Sequence, residues 1–451
     1  SIIADLSDNV TQIYSREELH LGVMLTLCSP QWLDLPGEGR IRGWMSSVII
    51  GDSGTGKSNC AEKLFNHGGV GYRVSGMTSS RTGLTYSIDH DPTHGWRIKA
   101  GWMLKMNKQA LIIDEAQDLP EEDIKTMADA MDTGKLSVAR VENRTFEAMT
   151  RCIFLCNPKQ MDRTANQRTM DSFLFGCQSL SDVFPQMMLR RLDLAMFAAR
   201  FDIEDRSVLF QLKKDTVKNI VTSKHMRALI HYAWNLKPEQ ISISSETVTA
   251  IRKAALKLSD KFGQCTDLPI VCPEDYRKTI TRIASSLAVL DLSSQDEFKT
   301  INVLPKHVAF SCQAFLEQMY SASNCRLDRY SDRYVSENVL QNDMKIRFYK
   351  ELTTVILPAS PGAAKRILYM MKEIVAIGLN GNTKIPQREF YEHFSVDAKT
   401  IRRDMQWFIE NKLVLSSRGY KPTNKLVIFF NHIKDMDKKN EKIEDRLYSD
   451  E

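Results

Sequence analysis

Four short, mostly apolar segments punctuate the chain up to about residue 205: Ser47 to Ile50, Tyr72 to Val74, Ala110 to Ile113 and Arg151 to Cys156. Each is too short for a helix and gives way to polar residues, the pattern of buried strands. Helical patterns follow the first and third. Strand alternating with helix predicts a parallel sheet covered on both faces, an α/β domain over 1–205. From Glu204 to about Tyr320 the apolar spacing turns helical, in SKHMRALIHYAWNL, SETVTAIRKAALKLSDKF, EDYRKTITRIASSLAVL and PKHVAFSCQAFLEQMY. This predicts a helical lid over 206–325. Residues 326–362 are polar and end in LPASPG, reading as a linker with some helix.

A third pattern occupies 363–432. AAKRILYMMKEIVAIG is amphipathic, PQREFYEHF carries Pro386 in its first turn, and SVDAKTIRRDMQWFIENKLV offers Ser395 as N-cap with Ile401, Met405 and Phe408 on one face. LVLSSRGYKPTNKLVIFF then reads as a two-stranded wing. This order predicts a winged helix-turn-helix, whose third helix would turn Lys399, Arg402, Arg403 and Gln406 outward, with Arg418, Lys421 and Lys425 near the wing. Such basic faces grip DNA, although they are also compatible with a solvated surface or a protein contact. The stretch 433–451, charged with both signs, reads as a disordered tail.

Length and composition narrow the class. The chain has 451 residues, enough for two or three domains, and a net charge of +5, too mild by itself to imply a nucleic-acid partner. No apolar run approaches the roughly eighteen residues of a membrane span, and SIIADLSDNV lacks the pattern of a signal peptide. Nine dispersed cysteines without C-x-x-C read as buried reduced thiols in a cytoplasmic protein, nucleoid-associated if bacterial. Cys152 and Cys156 share a strand, and a zinc site there is the lesser reading.

The chemistry sits at the strand ends. GDSGTGKS (Gly51, Asp52, Ser53, Gly54, Thr55, Gly56, Lys57, Ser58) fits G-x-x-x-x-G-K-[ST] between a strand and a helix. Backbone N–H groups of such a loop surround phosphates, Lys57 reaches the β/γ-phosphates of ATP, and Ser58 ligates Mg²⁺. ALIIDEAQDL ends its apolar run in Asp114, suited to hold the metal through water, and Glu115, suited to polarise an attacking water. RCIFLCN ends in Asn157, a polar side chain able to orient that water.

Between these motifs Ser79, Ser80, Gly83, Leu84, Thr85, Asp91, Pro92 and Trp96 follow one another in an order that resembles the minichromosome maintenance (MCM) helicases, members of the AAA+ ATPases. SREELHLGVMLTL, KLSVARVENRTFEAMTR, CNP and LRRLDLAMF extend the resemblance over about residues 8–205. It implies a P-loop αβα sandwich with a parallel sheet, a helical lid and a C-terminal winged helix. It further implies a homo-hexamer or other ring in which Arg191, or Arg190, reaches a neighbour's γ-phosphate. Two hairpins are implied, Tyr86 to Lys99 and Leu136 to Met149, the latter bringing Arg140 and Arg144 to single-stranded or forked DNA.

Departures from the family pattern are equally clear. Arg277 is the better match to the second sensor arginine and Arg282 the other; Gly56 and Ser53 stand where alanine and proline are common. No family-type N-terminal domain precedes residue 1, so the expectation is a divergent, mobile-element type of MCM-like protein. The leading functional expectation is an ATP-driven DNA helicase. The alternative is an ATP-switched initiator or helicase loader. A transcriptional activator or remodelling ATPase is disfavoured by the absence of G-A-F-T-G-A, and a non-enzymatic DNA-binding module would leave the acids idle.

Overall fold

The computed structural model describes residues 2–76, 81–91, 95–138, 144–159, 168–203, 220–335, 366–367, 369–375, 394–410, 413–415, 421–422 and 426. They fall into two compact units, Ser1–Val335 and Ser336–Glu451.

The first unit is built on five parallel strands: β1 (Ser47–Gly51), β2 (Tyr72–Ser75), β3 (Ala110–Asp114), β4 (Arg151–Cys156) and β5 (Leu194–Ala198). Their spatial order is β5-β1-β4-β3-β2. Every residue of β1, β3, β4 and β5 is buried, as both-face coverage of a parallel sheet requires. This explains their unbroken apolar runs. The chain leaves β1 for the far edge, returns strand by strand, and passes β1 again to reach β5. The carboxyl end of β1 is therefore a switch point, where open α/β sheets form ligand crevices.

α1 (Glu17–Leu27), α2 (Lys57–Gly68) and α3 (Glu121–Thr133) cover the sheet. α2 buries Cys60, Ala61, Leu64 and Phe65, an i, i+3/i+4 stripe facing the core. α3 opens with Glu121, Glu122 and Asp123, acids that suit the positive end of a helix. Two hairpins rise from this frame, pairing Tyr86–Asp91 with Gly95–Ala100 and Lys135–Val138 with Arg144–Glu147. The tip of the second, with Arg140, lies outside the described residues.

α4 (Ser223–Asn235), α5 (Ser245–Phe262) and α6 (Tyr276–Leu290) fall within the segments whose periodicity predicts helices. The fourth such segment, from Pro305, is helical with a π-turn over Phe310–Leu316. These helices do not form a separate body. Trp234 Nε1 of α4 donates to the Leu27 carbonyl at 2.7 Å, and α6 inserts Arg282 against Asp193. The helix over 327–335 continues the same unit, with Tyr330 edge-on to Phe175, so the end of this unit falls inside the stretch read as linker.

In the second unit α7 (Ala398–Glu410) buries Ile401, Met405 and Phe408 against Ile367, Met370, Met371 and Ile374. Its cap differs from the sequence expectation. Asp397 accepts from the Thr400 N–H at 2.9 Å, whereas Ser395 sits two residues earlier at φ 51°. A carboxylate one residue before the helix reaches the free N–H groups that Ser395 is too distant to meet. Val414–Leu415 and Lys421–Pro422 form the antiparallel ladder of a short hairpin.

Candidate nucleotide site

The loop between β1 and α2 is shaped by backbone demands. Gly56 sits at φ 86°, a left-handed conformation that glycine adopts without the strain a Cβ brings. At Gly51 a Cβ would lie 1.9 Å from the Ala198 carbonyl oxygen, so β5 approaches β1 too closely for any side chain.

A cleft of about 260 Å³ opens at this end of the sheet, lined by Ser53 to Asn59, Asp114, Glu115 and Leu155 to Asn157. Lys57 is buried there. Its Nζ donates to the Gly51 carbonyl at 2.9 Å, the Asp52 carbonyl at 2.6 Å and Asn157 Oδ1 at 3.1 Å. Burial pushes its pKa down to about 8, a shift that Asp52 and Asp114 only partly offset. The loop carbonyls thus hold a lysine whose charge is poorly compensated. Gly51 and Asp52 serve the site through their carbonyls and do not line the cleft. The Asp52 carboxylate turns away to accept the backbone N–H groups of Met170 and Arg200.

Ser58 Oγ donates to Asp114 Oδ1 at 3.3 Å, so two hard oxygens converge on one point. Together with phosphate oxygens, this is the sparse donor set that Mg²⁺ accepts while keeping several waters. Among the described residues no cluster of three His, Cys, Asp or Glu offers a richer site, and Cys152 and Cys156 are buried in β4. Eight of the nine cysteines are buried; Cys272 is half-buried.

Glu115 adopts φ 55°, unusual for a residue with a Cβ, and Ser75 Oγ donates to its Oε2 at 2.6 Å. Asn157 is held in turn, its N–H donating to Gln117 Oε1 at 3.1 Å. The carboxyl ends of β1, β3 and β4 therefore gather Lys57, Ser58, Asp114, Glu115 and Asn157 into one cleft.

Other sequence-predicted residues lie elsewhere. Arg191 pairs with Asp132 of α3 at 3.1 Å, remains one-third exposed and does not line its own chain's cleft. Arg277 pairs with Glu38, and Arg282 is buried with its Nε 2.6 Å from Asp193 Oδ1; neither lines the cleft. Arg144 is exposed on the second hairpin, and Lys399, Arg402, Arg403 and Gln406 are exposed on α7. Arg418 and Lys425 lie outside the described residues.

Four contributors escaped the sequence reading: Ser75, Gln117, Arg73 and Asp193. Arg73 of β2 donates to Asp114 Oδ2 and, at 2.7 Å, to Glu62 Oε2. Asp193 accepts from Arg42, Arg282 and the Ser46 N–H, while Arg42 Nη2 also donates to the Arg191 carbonyl at 3.2 Å. Only the alternation along β2, which puts residues 73 and 75 on one face, offered a local signal.

Comparison with known proteins agrees with this geometry. Residues 1–205 match the MCM P-loop domain. The "Minichromosome maintenance protein MCM" of Saccharolobus solfataricus is 24% identical over 312 residues, 66% of this chain and 43% of that protein. The "DNA replication licensing factor MCM2" of Oryza sativa subsp. indica is 26% identical over 129 residues, 28% of this chain and 13% of its own length. The "DNA replication licensing factor mcm2" of Schizosaccharomyces pombe is 25% identical over 159 residues, covering 35% and 19% respectively. The matched segments thus span less than half of each of these relatives.

Proposed function

We infer, from a chain that belongs to the MCM family through its P-loop domain at residues 1–205, that this protein is an ATP-driven DNA translocase that unwinds DNA during replication. The observation that carries the reading is the convergence of Lys57, Ser58, Asp114, Glu115 and Asn157 at one end of the sheet. Lys57 exchanges its carbonyl and amide partners for phosphate oxygens, and Ser58 and Asp114 hold the metal, directly and through water. A Mg²⁺ ion held there would neutralise charge on the phosphates. Glu115 accepts the proton of the attacking water, which Asn157 orients.

The arginine that completes this site comes from a second copy. Arg191 stands outside its own cleft, and its ion pair with Asp132 is surface-exposed enough to exchange cheaply for a phosphate. A ring, hexameric by family analogy, gives every cleft such a donor. Arg144 on its hairpin, with Arg140, grips the DNA backbone without reading sequence. The basic face of α7, with Lys399, Arg402 and Arg403, adds a second DNA contact.

Strand displacement from a forked duplex tests the reading. The wild type displaces the strand, Lys57→Ala does not, and Glu115→Gln binds nucleotide without turning it over. DNA binding without displacement by the wild type contradicts a motor and leaves an ATP-switched initiator or loader.

A further inference from the structure

We propose that Arg42 is a positioning residue for Arg191, fixing the backbone from which that guanidinium is offered to a second copy; this rests on the shared-cleft reading above. Arg42 ends a strand, Gly39–Arg42, that precedes β1, and Arg191 lies in the turn that leads into β5. The two meet through the planar fork of Arg42. Its Nη2 donates to the Arg191 carbonyl at 3.2 Å and to Asp193 Oδ1 at 3.3 Å. Its Nη1 donates to Asp193 Oδ2 at 3.2 Å and to the Trp44 carbonyl at 3.0 Å. One rigid plane thus spans the carbonyl of residue 191 and the carboxylate two residues on. Asp193 is itself anchored, its N–H donating to the Ser46 carbonyl at 2.7 Å and its carboxylate accepting the Ser46 N–H at 2.9 Å. The root of Arg191 is therefore tied to the root of β1, the strand that carries this chain's own phosphate loop.

Charge balance alone does not call for this second guanidinium. Asp193 already holds Arg282 Nε at 2.6 Å, and two buried cations exceed one carboxylate. Burial, and after it the like charge of Arg42, push the Arg282 pKa down to about 10. What Arg42 adds is the hold on the Arg191 carbonyl. At the far end of that side chain, Arg191 Nη2 rests on the half-exposed Asp132 at 3.1 Å. A side chain fixed at its root and loosely held at its tip reaches a neighbour's phosphate with little to reorder. Misplacing such a group by about 1 Å costs on the order of a hundredfold in rate. Arg42 touches neither nucleotide nor reacting atoms in this scheme.

The test measures ATP turnover, binding of a fluorescent ATP analogue and melting curves for the wild type, Arg42→Met and Arg42→Lys in the full chain. Arg42→Met is expected to lose about a hundredfold in kcat while analogue affinity is unchanged, because its own cleft is intact. Arg42→Lys keeps a charge on Asp193 and the wild-type Tm. Its point charge does not reproduce the fork, so its kcat stays about tenfold down or more. Mixing then separates positioning from general damage. Arg42→Met with Glu115→Gln recovers turnover, since the latter lends a placed Arg191 to an intact base. Arg42→Met with Arg191→Ala does not, since neither copy has a placed arginine. Arg42→Lys goes through the same two mixtures and decides the matter if Arg42→Met does not fold. Recovery with Arg191→Ala, no recovery with Glu115→Gln, or wild-type kcat in Arg42→Met overturns the inference and leaves Arg42 a brace for Asp193. If Glu115→Gln and Arg191→Ala mixed together recover nothing, the shared-cleft reading itself falls, and this inference with it.

Discussion

The charge of Lys57 is the most direct handle on the site. In the free protein burial holds its pKa near 8, while surrounding phosphates restore it to at least the ordinary lysine value. Binding must then be accompanied by proton uptake whenever the pH exceeds the free pKa. The sign follows from linkage. The free form loses its proton above pH 8 and the bound form keeps it, so affinity falls as pH rises. Between pH 7.5 and 9.5, a free pKa of 8 gives a loss of about 25-fold, or about 2 kcal/mol. Fluorescence titration of an ATP analogue across that range reads the slope. Calorimetry in two buffers of different ionisation heat reads close to one proton taken up at pH 9. Lys57→Arg, charged throughout, binds more weakly and shows a flat profile. A wild-type affinity that does not change from pH 7.5 to 9.5, with the fold intact by circular dichroism, refutes the reasoning.

Two further outcomes follow from buried carboxylates and caps. Asp193→Ala strands the buried guanidiniums of Arg42 and Arg282 and is expected to cost about 3–5 kcal/mol, lowering Tm by roughly 10 °C in a melting curve. A loss under about 1 kcal/mol would mean that the two arginines find other partners. Asp397→Ala removes the hydrogen bond to the Thr400 N–H and is expected to destabilise α7 by about 1 kcal/mol, visible as about fivefold faster amide exchange in its first turn. Ser395→Ala, by contrast, leaves that exchange unchanged.

What could be read from the chain alone was whatever is local. Three of the five strands, β1, β3 and β4, announce themselves because a parallel sheet buries both faces, leaving a largely apolar run; the edge strand β2 exposes Tyr72 and Arg73 and was legible only as a short segment between loops. β5 is as apolar as β1, yet Leu194–Ala198 follows LRRLD so closely that it read as part of a motif rather than as the sheet's fifth member. The phosphate loop and the acids were legible because their chemistry depends on short spacing. Asp193 was not: it meets Arg42 and Arg282 only after the sheet and α6 have come together, and nothing near it in sequence signals a buried ion pair. Arg73 was hidden for a related reason. An arginine on an edge strand reads as a solvent-facing residue until the register with β3 brings it to Asp114. The helices after the sheet were legible from their change of hydrophobic period, and they belong with the sheet to one compact unit, Ser1–Val335.

The account stands on a catalytic cleft that two copies of the chain complete, and mixing two inactive variants addresses this directly. Glu115→Gln retains its arginine but lacks the base, and Arg191→Ala retains the base but lacks the arginine. Each alone is expected to show little ATP turnover, and the mixture is expected to recover it as the base of one copy meets the arginine of the other. Turnover by Arg191→Ala at the wild-type rate, or full activity at concentrations where the chain is monomeric, would contradict the shared cleft.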